Sequence, residues 1–194
     1  MNKNKYVSKT KAISRRTALK LGAVTSVWIP TEVLAQPPNR MRPQPGDQLV
    51  YGDGDFVGDL IDPTSIILNQ QPFPALARDP DSLLKRDGSR LNRLMITRID
   101  QKKLSERHKE NAAEGIVAFS AICTHTGCDI TNWDAEKLAM ACPCHESMFD
   151  IYNGGTVIGG PAPRPLAMLP LNISKGVLTV AASFRGRVGF TQQF

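Results

Sequence analysis

Short apolar runs, each bounded by turn residues, recur along the chain from residue 65 onward. They are rich in β-branched residues and too short for ordinary helices, which predicts strands. The runs lie at 65–69, 94–99, 116–120, 137–141, 148–152, 155–159, 166–173 and 177–183. Turn signals separate them about every 8–12 residues, and this spacing predicts an all-β domain, an antiparallel β-sandwich or barrel.

Three stretches break this pattern. Residues 101–115 are charged and alanine-containing without strand alternation, which predicts a surface helix. Residues 70–90, rich in proline, aspartate and arginine, predict a loop. Proline and arginine dominate residues 36–46, which predicts a linker, so that the domain covers residues 47–190. Within it, residues 47–100 indicate no specific module.

The first 35 residues have the layout of an export signal. A basic region precedes an apolar run from Leu21 to Pro30, and a small-residue cleavage site follows Ala35. The run is shorter than the roughly 20 residues of a membrane span. The stretch "SRRTALK" resembles the twin-arginine signal, with Arg15 and Arg16 as the pair, which implies export of a folded protein to the periplasm. Two alternatives stay open: an uncleaved anchor on the outer face of the cytoplasmic membrane, or a solvated basic tail.

The net charge of +6 has its source in the same segment. Residues 1–35 hold seven of the 24 basic residues and one of the 18 acidic residues, so the remainder carries 17 of each. A formally neutral domain offers no basic face for nucleic acid, and we expect no nucleic-acid partner.

Two stretches, "CTHTGC" at 123–128 and "CPCHES" at 142–147, hold all four cysteines and two of the three histidines. Six such groups exceed what one four-coordinate ion uses. A structural zinc site plus a disulfide is one interpretation, although zinc prefers closely paired cysteines. Two disulfides with idle histidines would suit an exported protein. A third interpretation uses all six groups.

In this third interpretation the two loops hold a two-iron cluster between them. Cys123 and Cys142 would supply thiolates to one iron, and His125 and His145 would supply imidazoles to the other. Such mixed ligation is that of a Rieske 2Fe–2S centre, in which two histidines on one iron raise the reduction potential. The remaining cysteines are Cys128 and Cys144, one in each loop.

The sequence closely resembles the Rieske iron–sulfur family. Its boxes C-x-H-x-G-C and C-P-C-H-x-S stand here as "CTHTGC" and "CPCHES", and "GGPAPRPL" at 159–166 looks like its proline-rich loop. The resemblance implies a Rieske fold with a loop-rich cluster-binding subdomain, about 120–165, at the tip. It also implies a Cys128–Cys144 disulfide and a hydrogen bond from Ser147 to the cluster. Phe149 stands where high-potential members carry a tyrosine, which implies a lower potential here.

What the resemblance implies for function is one-electron transfer, from a dehydrogenase or quinol-oxidising partner towards a cytochrome c. Two types of protein fit. One is the iron–sulfur subunit of a membrane ubiquinol–cytochrome c reductase; the other is the small subunit of a periplasmic molybdenum oxidoreductase of arsenite-oxidase type, which Phe149 favours. An oxygenase is disfavoured, because only His108 remains for a mononuclear iron site. No independent substrate site is evident, and we expect His108 to be a solvated surface residue.

Overall fold

The computed structural model describes residues 36–191, which form two antiparallel sheets and very little helix. The strands in chain order are β1 (Gln48–Tyr51), β2 (Phe73–Arg78), β3 (Leu94–Arg98), β4 (Ile116–Ser120), β5 (Asn132–Asp134), β6 (Ala139–Ala141), β7 (Met148–Asp150), β8 (Thr156–Gly159), β9 (Met168–Leu169), β10 (Leu171–Ser174) and β11 (Val177–Val180). The helical segments are α1 (Glu106–Lys109) and the 3-10 turns Pro38–Arg40, Pro63–Ser65 and Arg90–Asn92. The predicted all-β class is confirmed.

The larger sheet has seven strands in the spatial order β10, β11, β1, β2, β3, β4, β9. Its two outermost strands, β9 and β10, are separated in sequence only by Pro170. The sheet therefore curls until its ends meet and nearly closes into a barrel. The run 166–173, predicted as one strand, is divided here because proline has no N–H for the ladder.

Both faces of β4 are buried, and its side chains serve two cores. Ile116 and Ala118 pack inside the seven-stranded sheet, in what we call the barrel core. Val117 and Phe119 point the other way, into a second core shared with the smaller sheet. This division follows from the alternation of side chains along a strand.

The smaller sheet has the order β5, β6, β7, β8 and carries the cysteine-bearing loops at one end. One loop joins β4 to β5, and the other joins β6 to β7. A register shift between Met148 and Phe149 marks the start of β7, directly after the second loop. The second core lies beneath these loops and fixes them to the barrel.

Most of the helix predicted over 101–115 is absent. Only Glu106–Lys109 is α-helical, after turns that begin at Asp100. The chain leaves the helix early because Ala113 pairs with Ile116 across Gly115, whose φ is +82°. Glu114, with φ +49°, and Gly115 both lie in the left-handed region, so a right-handed helix cannot run through them.

Two predictions between residues 65 and 90 are also wrong. Residues 65–69 form no strand: Ile67 and Leu68 are exposed, and Asn69 turns the chain with φ +57°. Residues 70–90 contain β2, which lies between β1 and β3. Its Pro74 suggested a loop, but a proline near the beginning of a strand is tolerated.

Residues 36–46 lie against the domain as an extended arm. Arg42 Nη1 donates to the Leu91 carbonyl at 2.7 Å, and Arg86 Nη1 donates to the Pro38 carbonyl at 2.9 Å. Arg86 also binds the buried carboxylate of Asp47 through two contacts of 3.0 Å. The predicted export segment, 1–35, lies outside the described residues. Within residues 36–191 no helix is long and apolar enough to cross a membrane.

Candidate metal centre

The first cysteine loop is a tight turn closed by its own backbone. The Cys123 N–H donates to the Cys128 carbonyl at 2.8 Å, and the Gly127 N–H donates to the Cys123 carbonyl at 3.1 Å. Gly127 has φ +81°, a conformation that glycine adopts without steric cost. Gly127 therefore lets the loop close as a tight turn.

The second loop repeats the same frame. The Cys142 N–H donates to the Ser147 carbonyl at 2.9 Å, and the Glu146 N–H donates to the Cys142 carbonyl at 3.0 Å. Glu146, in the fifth position like Gly127, has φ +57°. A non-glycine residue in this region is strained by about 1 kcal/mol or more. The two loops are thus copies of one turn, facing each other.

The thiols of Cys123 and Cys142 are free, buried and close to one another. Both side chains belong to the second core, with 0% and 2% of their surface exposed. Burial raises the pKa of the Cys123 thiol, and the nearby Cys142 adds to the rise, whereas hydrogen bonds from the His125 backbone and the Ser147 side chain oppose it. A metal ion deprotonates such thiols outright, so this pair suits metal ligation.

The two loop histidines, His125 and His145, contact each other. Their Nδ1 atoms are 3.2 Å apart, and their ring centres are 4.6 Å apart with an edge-on arrangement. Two nitrogens bound tetrahedrally to one ion, each at about 2.1 Å, would be separated by about 3.4 Å. His145 is exposed and His125 is half-buried. The pair therefore fits a shared metal ion, with each Nε2 on the outer side of its ring.

The remaining two cysteines join the loops covalently. Cys128 and Cys144 form a disulfide with an S–S distance of 2.15 Å, across 16 positions of sequence. The Sγ atoms of this pair and of Cys142 all lie within 4.8 Å of one another. These three sulfurs are not a separate metal site, because two of them are consumed in the disulfide.

Ser147 connects the second loop to the proline-rich segment that follows β8. Its hydroxyl oxygen, fully buried, accepts a hydrogen bond from the Ala162 N–H at 3.1 Å. The hydroxyl proton is then free to point towards the thiol of Cys123. A hydroxyl in this position can donate to sulfur, as the sequence predicts for the cluster.

Residues 92–170 match the protein family described as "Rieske [2Fe-2S] domain". The matched range covers β3 to β9 and contains both cysteine loops and the proline-rich segment. The chain contains a Rieske domain. The members of this family bind a 2Fe–2S cluster, and the four side chains described above offer the sulfur and nitrogen donors that it requires.

Similar proteins include subunits of respiratory complexes. The chain is 30% identical over 203 residues to "Cytochrome bc1 complex Rieske iron-sulfur subunit" of Streptomyces coelicolor, covering 95% of this chain and 56% of that protein. It is 31% identical over 147 residues to "Putative respiratory nitrate reductase subunit Rieske" of Haloferax mediterranei, covering 74% and 60%. The soluble domain of Rieske protein II (soxF) from Sulfolobus acidocaldarius aligns over 50% of this chain and 66% of its own, with TM-score 0.36 and 22% identity. The chain thus spans between 56% and 60% of the length of these two curated relatives.

The C-terminal segment contacts the first cysteine loop and the proline-rich segment from outside, and no motif in the sequence indicates these contacts. The Arg164 guanidinium, in the proline-rich segment, donates to the carbonyl oxygens of Arg187 and Gly189. The ring of Phe190 lies so close to Gly127 that a Cβ there would be 2.5 Å from Phe190 Cδ1. The end of the chain thereby contacts the first loop and the segment that covers it.

Two further residues from the sequence analysis, Phe149 and His108, lie in different environments. Phe149 is fully buried in the second core, opposite Met140 on β6, and its ring carries no hydrogen-bond donor. His108 is half-buried rather than fully solvated: its Nδ1 is 2.6 Å from Ser105 Oγ, and its ring lies against Gly154. Burial lowers the pKa of His108, and the adjacent Arg107 lowers it further.

Proposed function

We propose that this chain carries single electrons through a Rieske 2Fe–2S cluster. Cys123 and Cys142 would hold one iron and His125 and His145 the other, with Ser147 donating a hydrogen bond at the sulfur side. The observation that carries the proposal is the meeting of two imidazole Nδ1 atoms at 3.2 Å, on the same two loops that bury two free thiols. When bound, such a cluster supplies reversible one-electron chemistry at a potential above that of an all-cysteine cluster.

The thiols, the histidine rings and the backbone turns have different roles at the site. The thiols are buried in the second core, which excludes water from the sulfur side. The histidine rings lie at the surface, so their outer nitrogens are where a partner would come within short range. Backbone turns of equal shape fix both ligand pairs in advance, which lowers the cost of ordering them when the cluster binds.

Spectroscopy of the purified protein tests the proposal. We expect about two irons and two acid-labile sulfides per chain, and an electron paramagnetic resonance signal of mixed histidine–cysteine ligation after reduction. His125→Gln should abolish this signal, because one of four ligands is lost. The matched control is His108→Gln, the third histidine, which should keep iron, sulfide and signal. Equal signals in both variants would contradict the ligand assignment.

The partners we propose are a dehydrogenase or quinol-oxidising protein as donor and a cytochrome c as acceptor. Support comes from the names of the relatives, which are subunits of a bc1 complex and of a respiratory nitrate reductase.

Export to the periplasm by the twin-arginine segment is part of the proposal, with retention at the membrane as the alternative. Fractionation of cells and identification of co-purifying subunits would distinguish a cytochrome b partner from a molybdenum-containing one.

A molybdenum-enzyme subunit of arsenite-oxidase type is the second candidate, and Phe149 favours it over a quinol reductase subunit. The ring contributes no hydrogen bond to sulfur, although it belongs to the same core as both thiols. Phe149→Tyr should raise the reduction potential by about 40 mV, the equivalent of one hydrogen bond of about 1 kcal/mol. Protein-film voltammetry measures the shift. Tyr152→Phe is the control, because Tyr152 packs against the same core but its hydroxyl already binds Asn69 at 2.7 Å. An unchanged or lower potential in Phe149→Tyr would count against this role.

A further inference from the structure

A cavity of about 490 Å³ beside the Rieske loops has cationic walls. Arg107, Arg164, Arg185 and Arg187 line it, together with His108. Its remaining lining residues, all within the described part of the chain, include no aspartate or glutamate. Residues of one charge sign around a concavity create a positive potential there, which attracts anionic groups.

These arginines have no acidic partner that neutralises them. None of the four forms an ion pair with any residue in the range 36–191. Arg185 Nε contacts only the neutral Asn111 Oδ1, at 3.4 Å. The pKa of Arg164 is lowered, first by burial and then by repulsion from Arg187. Of the nearby carboxylates, Glu110 faces His108 and Glu106 is bound to Lys109.

The C-terminal part of the sequence shows the same excess of basic over acidic residues. After Asp150 the remaining 44 residues contain no aspartate or glutamate, but they contain Arg164, Lys175, Arg185 and Arg187. The domain as a whole is nearly neutral, so its positive charge is concentrated where the C-terminal segment lies. That segment is the one that contacts the first cysteine loop.

Arg164 connects the arginine cavity to His125. Arg164 lines both this cavity and a second one of about 720 Å³, which His125 also lines. Thr124, next to His125, donates through Oγ1 to the Arg164 carbonyl at 2.7 Å. A partner seated on the arginines would therefore lie beside the histidine from which we expect electrons to leave.

We propose that the arginine cavity is the docking site for carboxylates of an acidic redox partner protein. This docking proposal rests on the proposed electron-transfer function. It adds that the contact surface of the partner is negatively charged. Planar guanidinium groups match carboxylates in two-point contacts, and a charged surface near the site raises the rate of encounter. A protein partner is favoured over an anionic membrane, because faces that bind membranes combine basic residues with apolar ones. Here the cavity is concave, and none of its lining residues is among the large apolar side chains exposed within residues 36–191; the nearest in sequence, Ile158 and Phe190, stand two and three positions beyond lining residues.

Binding of a labelled decaglutamate peptide, followed by fluorescence anisotropy, tests the site. Arg185→Gln/Arg187→Gln should weaken binding about three- to tenfold, and added salt should remove the difference. The matched control is Lys102→Gln/Lys175→Gln, which removes the same charge from exposed lysines outside the cavity. The control should bind as the unaltered protein does. Equal weakening by both double variants would overturn the proposal, since only net charge would then matter.

Oxidation of the reduced holoprotein gives an independent measurement. Ferricyanide, an anionic one-electron oxidant, should react more slowly with the arginine double variant, whereas cationic tris(phenanthroline)cobalt(III) should react faster. Unchanged rates with both oxidants would place the arginines away from the electron path and overturn the proposal. So would arginine-dependent binding to phosphatidylglycerol vesicles without binding to decaglutamate. A protein that lacks the cluster signal would refute the proposed function, while the peptide measurement would still report on the cavity.

Discussion

Gly160→Ala is expected to prevent stable assembly of the Rieske centre. Gly160 has φ +74°, and a Cβ there would be 2.5 Å from Ser147 Cα and 2.7 Å from the Glu146 carbonyl oxygen. All real Cβ contacts are longer than this, and the atoms it meets belong to the backbone of the second cysteine loop. A flexible side chain could move aside, whereas this loop can yield only by shifting Cys142 and His145, the ligands that we propose. We expect loss of most of the bound iron.

Iron content and visible absorbance of the purified variant measure the effect. Gly176→Ala is the matched control, because Gly176 has nearly the same φ, +78°, but nothing within 4 Å of the added Cβ. The control suffers only the backbone strain of about 1–2 kcal/mol and should keep its iron. If Gly160→Ala retained iron as fully as Gly176→Ala, the close contact with the loop would not matter for the site.

Removal of the disulfide is expected to have the second largest effect. Cys128→Ser/Cys144→Ser opens a loop closed across 16 residues, and the chain-entropy estimate for such a loop is about 3 kcal/mol. For a domain of this size that corresponds to a fall in melting temperature of about 6–12 °C. Thermal unfolding of the holoprotein, followed by circular dichroism, gives the measurement.

The single variant Cys144→Ser provides the sharper comparison. It leaves Cys128 as a free thiol beside Cys142, whose sulfur lies within 4.8 Å of it. In air, dioxygen can take up the two electrons and two protons of these thiols and leave a Cys128–Cys142 disulfide, which removes a proposed ligand, so the single variant purified in air should load less iron than the double variant. A double variant that melts at the unaltered temperature, or that loads less iron than the single one, would contradict this account.

The ligand loops could be predicted because their chemistry lies in the residues themselves. Cys123, His125, Cys142 and His145 belong to two local, spaced motifs, and the structure brings the two histidines into contact and buries the two thiols as a neighbouring pair. The strands β3 and β4 were predicted because they are uninterrupted apolar runs. β2 was missed because it contains Pro74 and because four of its six positions are only half-buried. Its sequence therefore resembles that of a loop.

What could not be predicted depends on contacts distant in sequence. Nothing in "GGPAPRPL" says that Gly160 lies against the second loop, or that Arg164 reaches the carbonyls of Arg187 and Gly189. The helix predicted over 101–115 was wrong for a similar reason, since pairing of Ala113 with Ile116 overrides local preference. Tertiary contacts routinely outweigh such weak preferences.

Because β4 contributes Ile116 and Ala118 to one core and Val117 and Phe119 to the other, neither core is complete without it. The barrel and the lobe that carries the ligands should therefore melt as one cooperative unit rather than as two. Iron bound by the loops then protects strands that never touch it, and its loss weakens amide-exchange protection across the whole domain. A chain without its cluster is then also globally destabilised and open to proteolysis.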